Sequence, residues 1–333
     1  STISSEGAKT SRTQQLGFLG RAYGAQFLDT NIIPDFTKAP PRQDNPFANG
    51  AINWINVTNG GSGYTQDSVI VITDASGTGA IAYPVVSVGG SINGVVVISK
   101  GQNYVAPSIS ADIGTGATFA AELSPLTGNW PTVSAIFQQR QVYAGTLNFP
   151  LGIWGSRPGK FNNFDVSSIL VDNDAYTFEL DAAKVAIIRH LLPMRGGLLA
   201  FNQLGIWLIS GGTTAVVTPT NALAEPQSYT GVSSLSPIKI ETDILYVEAK
   251  GYTVRLLSYN DLSKLYAGSD ISILAAHLFG QDKEILSWTF AQEPFKIVHA
   301  IRADGQRLLG TIIKDQNLFA WTPSSTQGYY KQA

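Results

Sequence analysis

Residues 52–64 read Ile52-Asn53-Trp54-Ile55-Asn56-Val57-Thr58-Asn59-Gly60-Gly61-Ser62-Gly63-Tyr64, and 92–104 read Ile92-Asn93-Gly94-Val95-Val96-Val97-Ile98-Ser99-Lys100-Gly101-Gln102-Asn103-Tyr104. These are two copies of one pattern with a period of 40 residues (52 to 92), the size of a three- or four-stranded unit. After each Tyr comes an alternating strand, Val69-Ile70-Val71-Ile72 or Ser108-Ile109-Ser110-Ala111. A Gly-Thr-Gly-Ala turn follows, Gly77 to Ala80 or Gly114 to Ala117, and then another β run over 82–86 or 118–123. Glycines supply the positive φ of tight turns, and the alternating apolar residues supply a buried face. The pattern predicts a small two-repeat β module over 51–123, inserted into a larger body.

Outward from it the texture changes. Residues 1–50 are irregular, with the Pro-rich stretch Ile33-Pro34-Asp35-Phe36-Thr37-Lys38-Ala39-Pro40-Pro41-Arg42. They read as an arm or linker, either laid along a neighbour in an oligomer or left as a poorly ordered terminus. From 124 to 333 hairpins recur: Ala135 to Ala144 leading to Ile153-Trp154, Leu198 to Ser210, Ile244 to Leu257 and Ile297 to Ile313. The last three turn near Asn202-Gln203, at Lys250-Gly251 and at Asp304-Gly305. Gly251 and Gly305 stand 54 residues apart (305 − 251), in the range of a propeller blade. Two short helices are expected. One runs from Ala182 to Leu192 with Asp181 as cap and Pro193 beyond; the other runs from Ile271 to Phe279 with Asp270 as cap and Gly280 as stop. The expected fold is all-β: a β-propeller-like body of repeated hairpins, an inserted β-repeat module and two short helices.

Composition narrows the function classes. Charged residues make up 14% of the 333, against about 25% in ordinary globular domains. A chain so poor in charge points to surfaces covered by other subunits, or to the Ser/Thr/Asn/Gln-rich style of many β proteins. The net charge of −2, with no Lys/Arg run, argues against a basic nucleic-acid-binding face. With no cysteine there is no disulfide, thiolate metal site or cysteine nucleophile. No segment is long and apolar enough to span a membrane, and the first 20 residues carry no secretory signal pattern. Beginning at Ser1 without an initiator Met, the chain reads as processed or as a fragment of a longer one.

Candidate chemistry is thin. His190 and His277 fall on expected helices and His299 on a strand, none at a metal-ligand spacing. Asp172-Asn173-Asp174 resembles the opening of a calcium loop, but Thr177 stands where the EF-hand glycine belongs, so a turn is expected. Gly60-Gly61-Ser62-Gly63 lacks the Lys-Ser/Thr of a phosphate loop, and Gly155-Ser156-Arg157-Pro158-Gly159 is not a nucleophile elbow. Asp165, Glu179, Glu241, Asp243 and Glu248 are the carboxylates from which a glycosidase pair would be drawn. Trp54, Tyr64, Tyr104, Trp154 and Trp207 are the aromatics that could stack on sugars, each also readable as core or turn structure. No residue is assigned a catalytic, cofactor-binding or metal role, and no cofactor is expected.

Two resemblances sharpen this. The repeat of a hydrophobic strand, Gly-x-Gly-Tyr and Gly-Thr-Gly-Ala resembles short modules of phage tail and fibre proteins, with Gln102-Asn103-Tyr104 departing from Ser62-Gly63-Tyr64. In the body, Phe137-Gln138-Gln139-Arg140-Gln141-Val142-Tyr143-Ala144-Gly145-Thr146 precedes Ile153-Trp154-Gly155-Ser156-Arg157-Pro158-Gly159 and Phe161-Asn162-Asn163-Phe164. Tyr176-Thr177-Phe178-Glu179-Leu180, Gly205-Ile206-Trp207-Leu208-Ile209-Ser210-Gly211, Thr218-Pro219-Thr220-Asn221, Tyr252-Thr253-Val254-Arg255 and Gln292-Glu293-Pro294 follow in order. This succession, over about residues 131–325, resembles the tail nozzle (tail tubular protein B-type) family of short-tailed bacteriophages, the podoviruses. The resemblance implies a non-enzymatic virion structural protein, assembled in the host cytoplasm into the viral tail. It implies a homohexameric ring below the portal and adaptor, a platform for tail fibres or spikes, with DNA as passing cargo during ejection. The alternative is a virion adhesion or carbohydrate-binding protein acting through 51–123; a polysaccharide depolymerase is a third reading.

Overall fold

The computed structural model describes residues 44–332 apart from 66, 168–169, 195, 213–215, 261–264, 314–315 and 317. Most of the proposed arm, including its Pro-rich stretch, lies outside the described residues. The chain divides into two compact units, Ser1–Leu180 with Val216–Ala222 and Asp181–Ala215 with Leu223–Ala333.

The first unit opens with the repeat module. Copy one forms β1 (Ile52–Ser62), β2 (Ile70–Thr73) and β3 (Thr78–Val86); copy two forms β4 (Ile92–Gln102), β5 (Ser108–Ala111) and β6 (Thr115–Leu123). The copies do not close on themselves. Strand β1 pairs antiparallel with β6, β3 with β4, and β2 with β5, so every ladder joins one copy to the other. The registers repeat: Ile52 faces Leu123 and Ile92 faces Val86, while Gly60 faces Ala117 and Lys100 faces Ala80. This is a pseudo-two-fold, and it explains the repeat, because one sequence pattern solves the same pairing problem twice. The expected Gly-Thr-Gly-Ala turns are strand openings instead, with Thr78 and Thr115 already paired in β3 and β6.

Both tyrosines of the repeat act as reciprocal latches. The Tyr64 hydroxyl accepts the Ala117 N–H of copy two at 2.9 Å, and the Tyr104 hydroxyl accepts the Ala80 N–H of copy one at 3.1 Å. Each ring covers the other copy's glycine: a Cβ on Gly114 would lie 2.5 Å from the Tyr64 ring, and one on Gly77 would lie 2.1 Å from the Tyr104 ring. A carboxylate ties the copies again. Asp74 accepts the N–H groups of Ser76 and Gly77 at 2.9 and 2.8 Å, and those of Ala106 and Val105 in copy two at 2.8 and 3.3 Å.

Those N–H donors, Ser76 first, hold the Asp74 carboxyl well below its ordinary value of 3.8. A depressed folded pKa means that the contribution of Asp74 is complete above about pH 4 and is lost as pH falls through the folded value. Asp74→Asn is therefore expected to flatten the fall in melting temperature between about pH 4 and pH 2 relative to the unchanged protein. A thermal melt series in acid buffers checks it; parallel curves would refute the assignment.

Chain entry and exit are clasped by polar groups. The Ser124 hydroxyl accepts the Ala51 N–H at 2.8 Å and donates to the Ala48 carbonyl at 2.8 Å. The Asn129 amide donates to the Pro125 carbonyl at 2.6 Å. Residues 44–50 are not free linker, because Phe47 is buried edge-on against Tyr143 and Trp154, with centroids at 5.4 and 5.2 Å.

The body is a succession of four-stranded antiparallel meanders. The first, in the same unit as the module, is β7 (Val133–Phe137), β8 (Arg140–Ala144), β9 (Gly152–Gly155) and β10 (Tyr176–Glu179). The second unit holds three more. They are β11 (Ile188–Met194), β12 (Gly197–Asn202), β13 (Ile206–Ser210) and β14 (Leu223–Ser228); then β15 (Ile238–Ile240), β16 (Asp243–Val247), β17 (Val254–Asn260) and β18 (Leu265–Asp270); then β19 (Ile285–Ala291), β20 (Ile297–Arg302), β21 (Arg307–Ile313) and β22 (Leu318–Ser324). The fold is all-β, as composition and hairpin spacing predict.

In the second unit neighbouring sheets pack face to face. On β16 and β17, Ile244, Tyr246 and Leu257 pack against Leu199, Phe201, Ile206 and Leu208 of the preceding sheet. The alternate residues Leu245, Val247, Val254 and Leu256 pack against Trp288, Val298, Ala300 and Leu308 of the following one. A strand buried on both faces needs apolar residues at every position, so Ile244-Leu245-Tyr246-Val247 shows no alternation.

Neither expected helix forms as drawn. Ala182 to Leu192 contains no helix: residues 188–194 are β11, paired with β12 and carrying Pro193 opposite Leu198. Val185, Ile187 and Ile188 are β-branched and disfavour a helix, Ile188 opening the strand, and Pro193 is tolerated because β11 is an edge. At the second site a 3-10 helix covers only Ile273–Leu278, kinked at Ala275, with Ser272 rather than Asp270 at its N-cap. The Asp270 carboxylate instead accepts the Ser272 N–H and hydroxyl at 2.8 and 2.7 Å.

Candidate functional site

The turn between β9 and β10 in the first unit builds the most site-like feature among the described residues. Pro158 and Gly159, with φ +67° at the glycine, sit centrally in a turn closed by the Lys160 N–H on the Arg157 carbonyl at 3.1 Å. The Arg157 N–H bonds the Asn163 carbonyl at 2.9 Å, closing a loop over 157–163 above β8. The Gly159 N–H donates to the Gln139 carbonyl at 2.7 Å, fixing the loop to the β7–β8 turn.

A buried polar node holds the base of this loop. Asp174 is fully buried and accepts the Ser167 N–H and hydroxyl at 3.1 and 2.9 Å and the Val171 N–H at 3.0 Å. Its fourth partner is the Arg157 guanidinium, 12% exposed, in an ion pair. Beside them the buried Arg140 donates to the carbonyls of Ser156, Asp174 and Asp172 at 2.7, 2.5 and 2.8 Å, and lies 5.3 Å from the Tyr176 ring centroid. Burial pushes the Tyr176 hydroxyl up to about 12, so it stays neutral at physiological pH. The Asp172-Asn173-Asp174 run is thus a structural anchor, its last carboxylate turned onto an arginine rather than toward a cation site.

Between β8 and the loop lies an open depression of about 660 Å³, lined by Gln141 and Tyr143 of β8 and by Gly159, Lys160, Phe161, Asn162 and Asn163 of the loop. Phe161 is 48% exposed, whereas Tyr143 is held from below by Phe47 and Phe164. Asn163 is buried, its side-chain oxygen accepting the Asp165 N–H at 2.9 Å. Among the described residues, no protein group engages the side-chain ends of Gln141, Tyr143, Lys160 or Asn162. The lining carries one cation and no carboxylate.

The residues singled out from sequence are scattered by comparison. His190 lies on β11 with Nε2 3.1 Å from the Ser233 carbonyl, and burial depresses its pKa. His277 closes the 3-10 helix, and His299 lies on β20 opposite Thr289. No three metal-ligating side chains cluster among the described residues. Glu241 pairs with Lys296, Glu248 with Arg255, and Asp243 is buried at the start of β16. Asp165 is buried beside the Asn163 loop, and Glu179 ends β10, exposed. Tyr64, Tyr104, Trp154 and Trp207 are core residues; of the five aromatics only Trp54, 58% exposed, faces solvent.

The glycine-rich stretches are packing devices. A Cβ on Gly60 would lie 2.6 Å from the Ile92 carbonyl oxygen, and one on Gly155 would lie 2.2 Å from the Tyr176 ring. The depression itself went unrecognised in the sequence. Its signal is an exposed aromatic among amides directly after a Pro-Gly turn, in Arg157-Pro158-Gly159-Lys160-Phe161-Asn162-Asn163. No protein-family model matches the chain, and no curated protein matches it.

Proposed function

We propose that the chain is a non-catalytic structural subunit of the tail nozzle of a short-tailed phage. In this reading it forms the DNA-exit channel below the portal and adaptor and offers its outside to fibres or spikes. What supports the reading is the resemblance together with an all-β body of repeated meanders. The segments that resemble the nozzle family lie on or between the strands of four successive four-stranded meanders, from Phe137 to Trp154 on the first to Gln292-Glu293-Pro294 between β19 and β20 of the fourth.

Surface composition supports assembly. In the second unit Ile273, Leu274, Leu286 and Phe295 stand exposed, Leu274 at 90%, in a chain with few charges to offset them. Burial between neighbouring subunits would stabilise such side chains by about 1.5–3 kcal/mol each. A conduit must also let DNA slide, and a chain of net charge −2 with no basic run offers few counterion-releasing contacts to hold it. No helix of the described residues is long and apolar enough to cross a membrane.

The mass of the assembly released intact from virions tests the reading. The expected result is a closed homo-oligomer of the chain, a hexamer; recovery of the chain solely as monomer from intact tails would count against it. The second reading, adhesion through the module, keeps Trp54 as its exposed aromatic and loses Tyr64 and Tyr104, which are latched in the core. A glycan array probed with the intact protein and with Trp54→Ala separates this reading, since it requires a signal that the substitution removes.

A further inference from the structure

The depression over β8 has the ingredients of a saccharide site, and we propose that it binds an acidic saccharide, a sugar chain carrying carboxylate groups. Its volume, about 660 Å³, falls within the ~300–1,000 Å³ of small-molecule sites. It is open, which suits a length of polymer rather than an enclosed metabolite.

The chemistry of the wall selects the ligand class. Gln141 and Asn162 each offer an amide donor and acceptor, and sugar hydroxyls, each donor and acceptor at once, are their natural partners. Phe161, half exposed on the rim, presents an apolar ring face on which the C–H face of a pyranose can rest. Lys160 is the lone cation of the lining, with no carboxylate there to neutralise it, so a negatively charged sugar is preferred over a neutral one. A phosphate ligand fits less well. There is no arginine fork, and the backbone N–H groups of Gly159, Lys160 and Asn163 are already spent on Gln139, Arg157 and Lys160 carbonyls.

The site is rigid for a loop. Its turn is bonded to the β7–β8 connection, Tyr143 is wedged between Phe47 and Phe164, and Arg157 is anchored on Asp174. Little ordering entropy remains to be lost on binding, which favours affinity from few contacts.

The test is titration of the intact protein, by calorimetry and by ligand-observed NMR, with uronate-bearing and neuraminate-bearing oligosaccharides. A neutral oligosaccharide of equal length and inorganic phosphate serve as comparators. Saturable binding of an acidic oligosaccharide, at least about ten-fold tighter than the neutral one, is expected, since ten-fold corresponds to a single good charge contact. Phe161→Ala should weaken binding of both sugars about ten-fold or more, and Lys160→Ala should abolish the acidic preference while sparing the neutral ligand. Both side chains are exposed, so melting temperatures should be unchanged and a loss of binding reads as a loss of contact. Absence of saturable binding by every acidic member would overturn the proposal. So would full competition by inorganic phosphate, or binding untouched by both substitutions. All these measurements are made on the isolated protein, so they succeed or fail independently of the nozzle reading.

Discussion

Asp174→Ala is expected to lower the stability of the protein by about 3–5 kcal/mol, the cost of breaking a buried ion pair from one side. The carboxylate is fully buried and satisfies two backbone N–H groups, a hydroxyl and the Arg157 guanidinium. Its removal leaves a mostly buried cation without this counter-charge, and takes the acceptor from the Ser167 and Val171 N–H groups. Asp174→Asn, which keeps one accepting oxygen but no charge, should fall between the two. Urea unfolding monitored by tryptophan fluorescence measures the effect. If the 172–174 run held a cation instead, added calcium would raise the melting temperature of the unsubstituted protein and a chelator would lower it. Neither shift is expected, and either one would displace the anchor assignment.

The second large effect tests the pseudo-two-fold. Gly61 and Gly101 hold φ of +57° and +60° at equivalent places in the two copies. A Cβ on Gly61 would lie 2.3 Å from the Thr115 carbonyl oxygen and 2.6 Å from the Ala117 nitrogen; on Gly101 it would lie 2.5 Å from the Thr78 oxygen and 2.5 Å from the Ala80 nitrogen. The left-handed conformation costs an alanine about 1–2 kcal/mol, and overpacking against backbone adds about 1–3 kcal/mol. Each substitution should therefore destabilise by about 2–5 kcal/mol, and the two by similar amounts. A large loss at one glycine with none at the other would show that the copies do not meet by the reciprocal pairing described.

What the sequence displayed and what it hid follow from the same physics. The hairpins at Lys250-Gly251 and Asp304-Gly305 were legible because turn chemistry is local. The inner strands Leu198–Phe201 and Ile244–Val247 were legible as unbroken apolar runs. Outer strands were not: β14 carries Pro226 and has no buried residue, and β15 has three residues, so neither leaves a periodic signal. Strand β11 was read as a helix because Asp181 mimics a cap and Ile188, Leu191 and Leu192 recur at helical spacing; pairing with β12 overrides that local pattern.

The repeat announced two copies but not which strands pair, since a copy closing on itself and a copy exchanging strands demand the same residues. The candidate saccharide site was hidden for a different reason. Its polar ends come from β8 and from a loop some twenty residues on, brought together by the Gly159–Gln139 backbone bond and the Arg157–Asp174 anchor, neither of which shows in the local pattern. The carboxylates visible in sequence, by contrast, are engaged with cations or dispersed over the two units.

Part of a tail axis is where the proposed function puts the protein. Imaging virions whose copies of this chain carry a small electron-dense or antibody-recognised tag measures that directly. The account predicts label in a ring on the tail axis, distal to the portal, in every intact particle. Label on the capsid surface or solely at fibre tips, or particles without label, would contradict it.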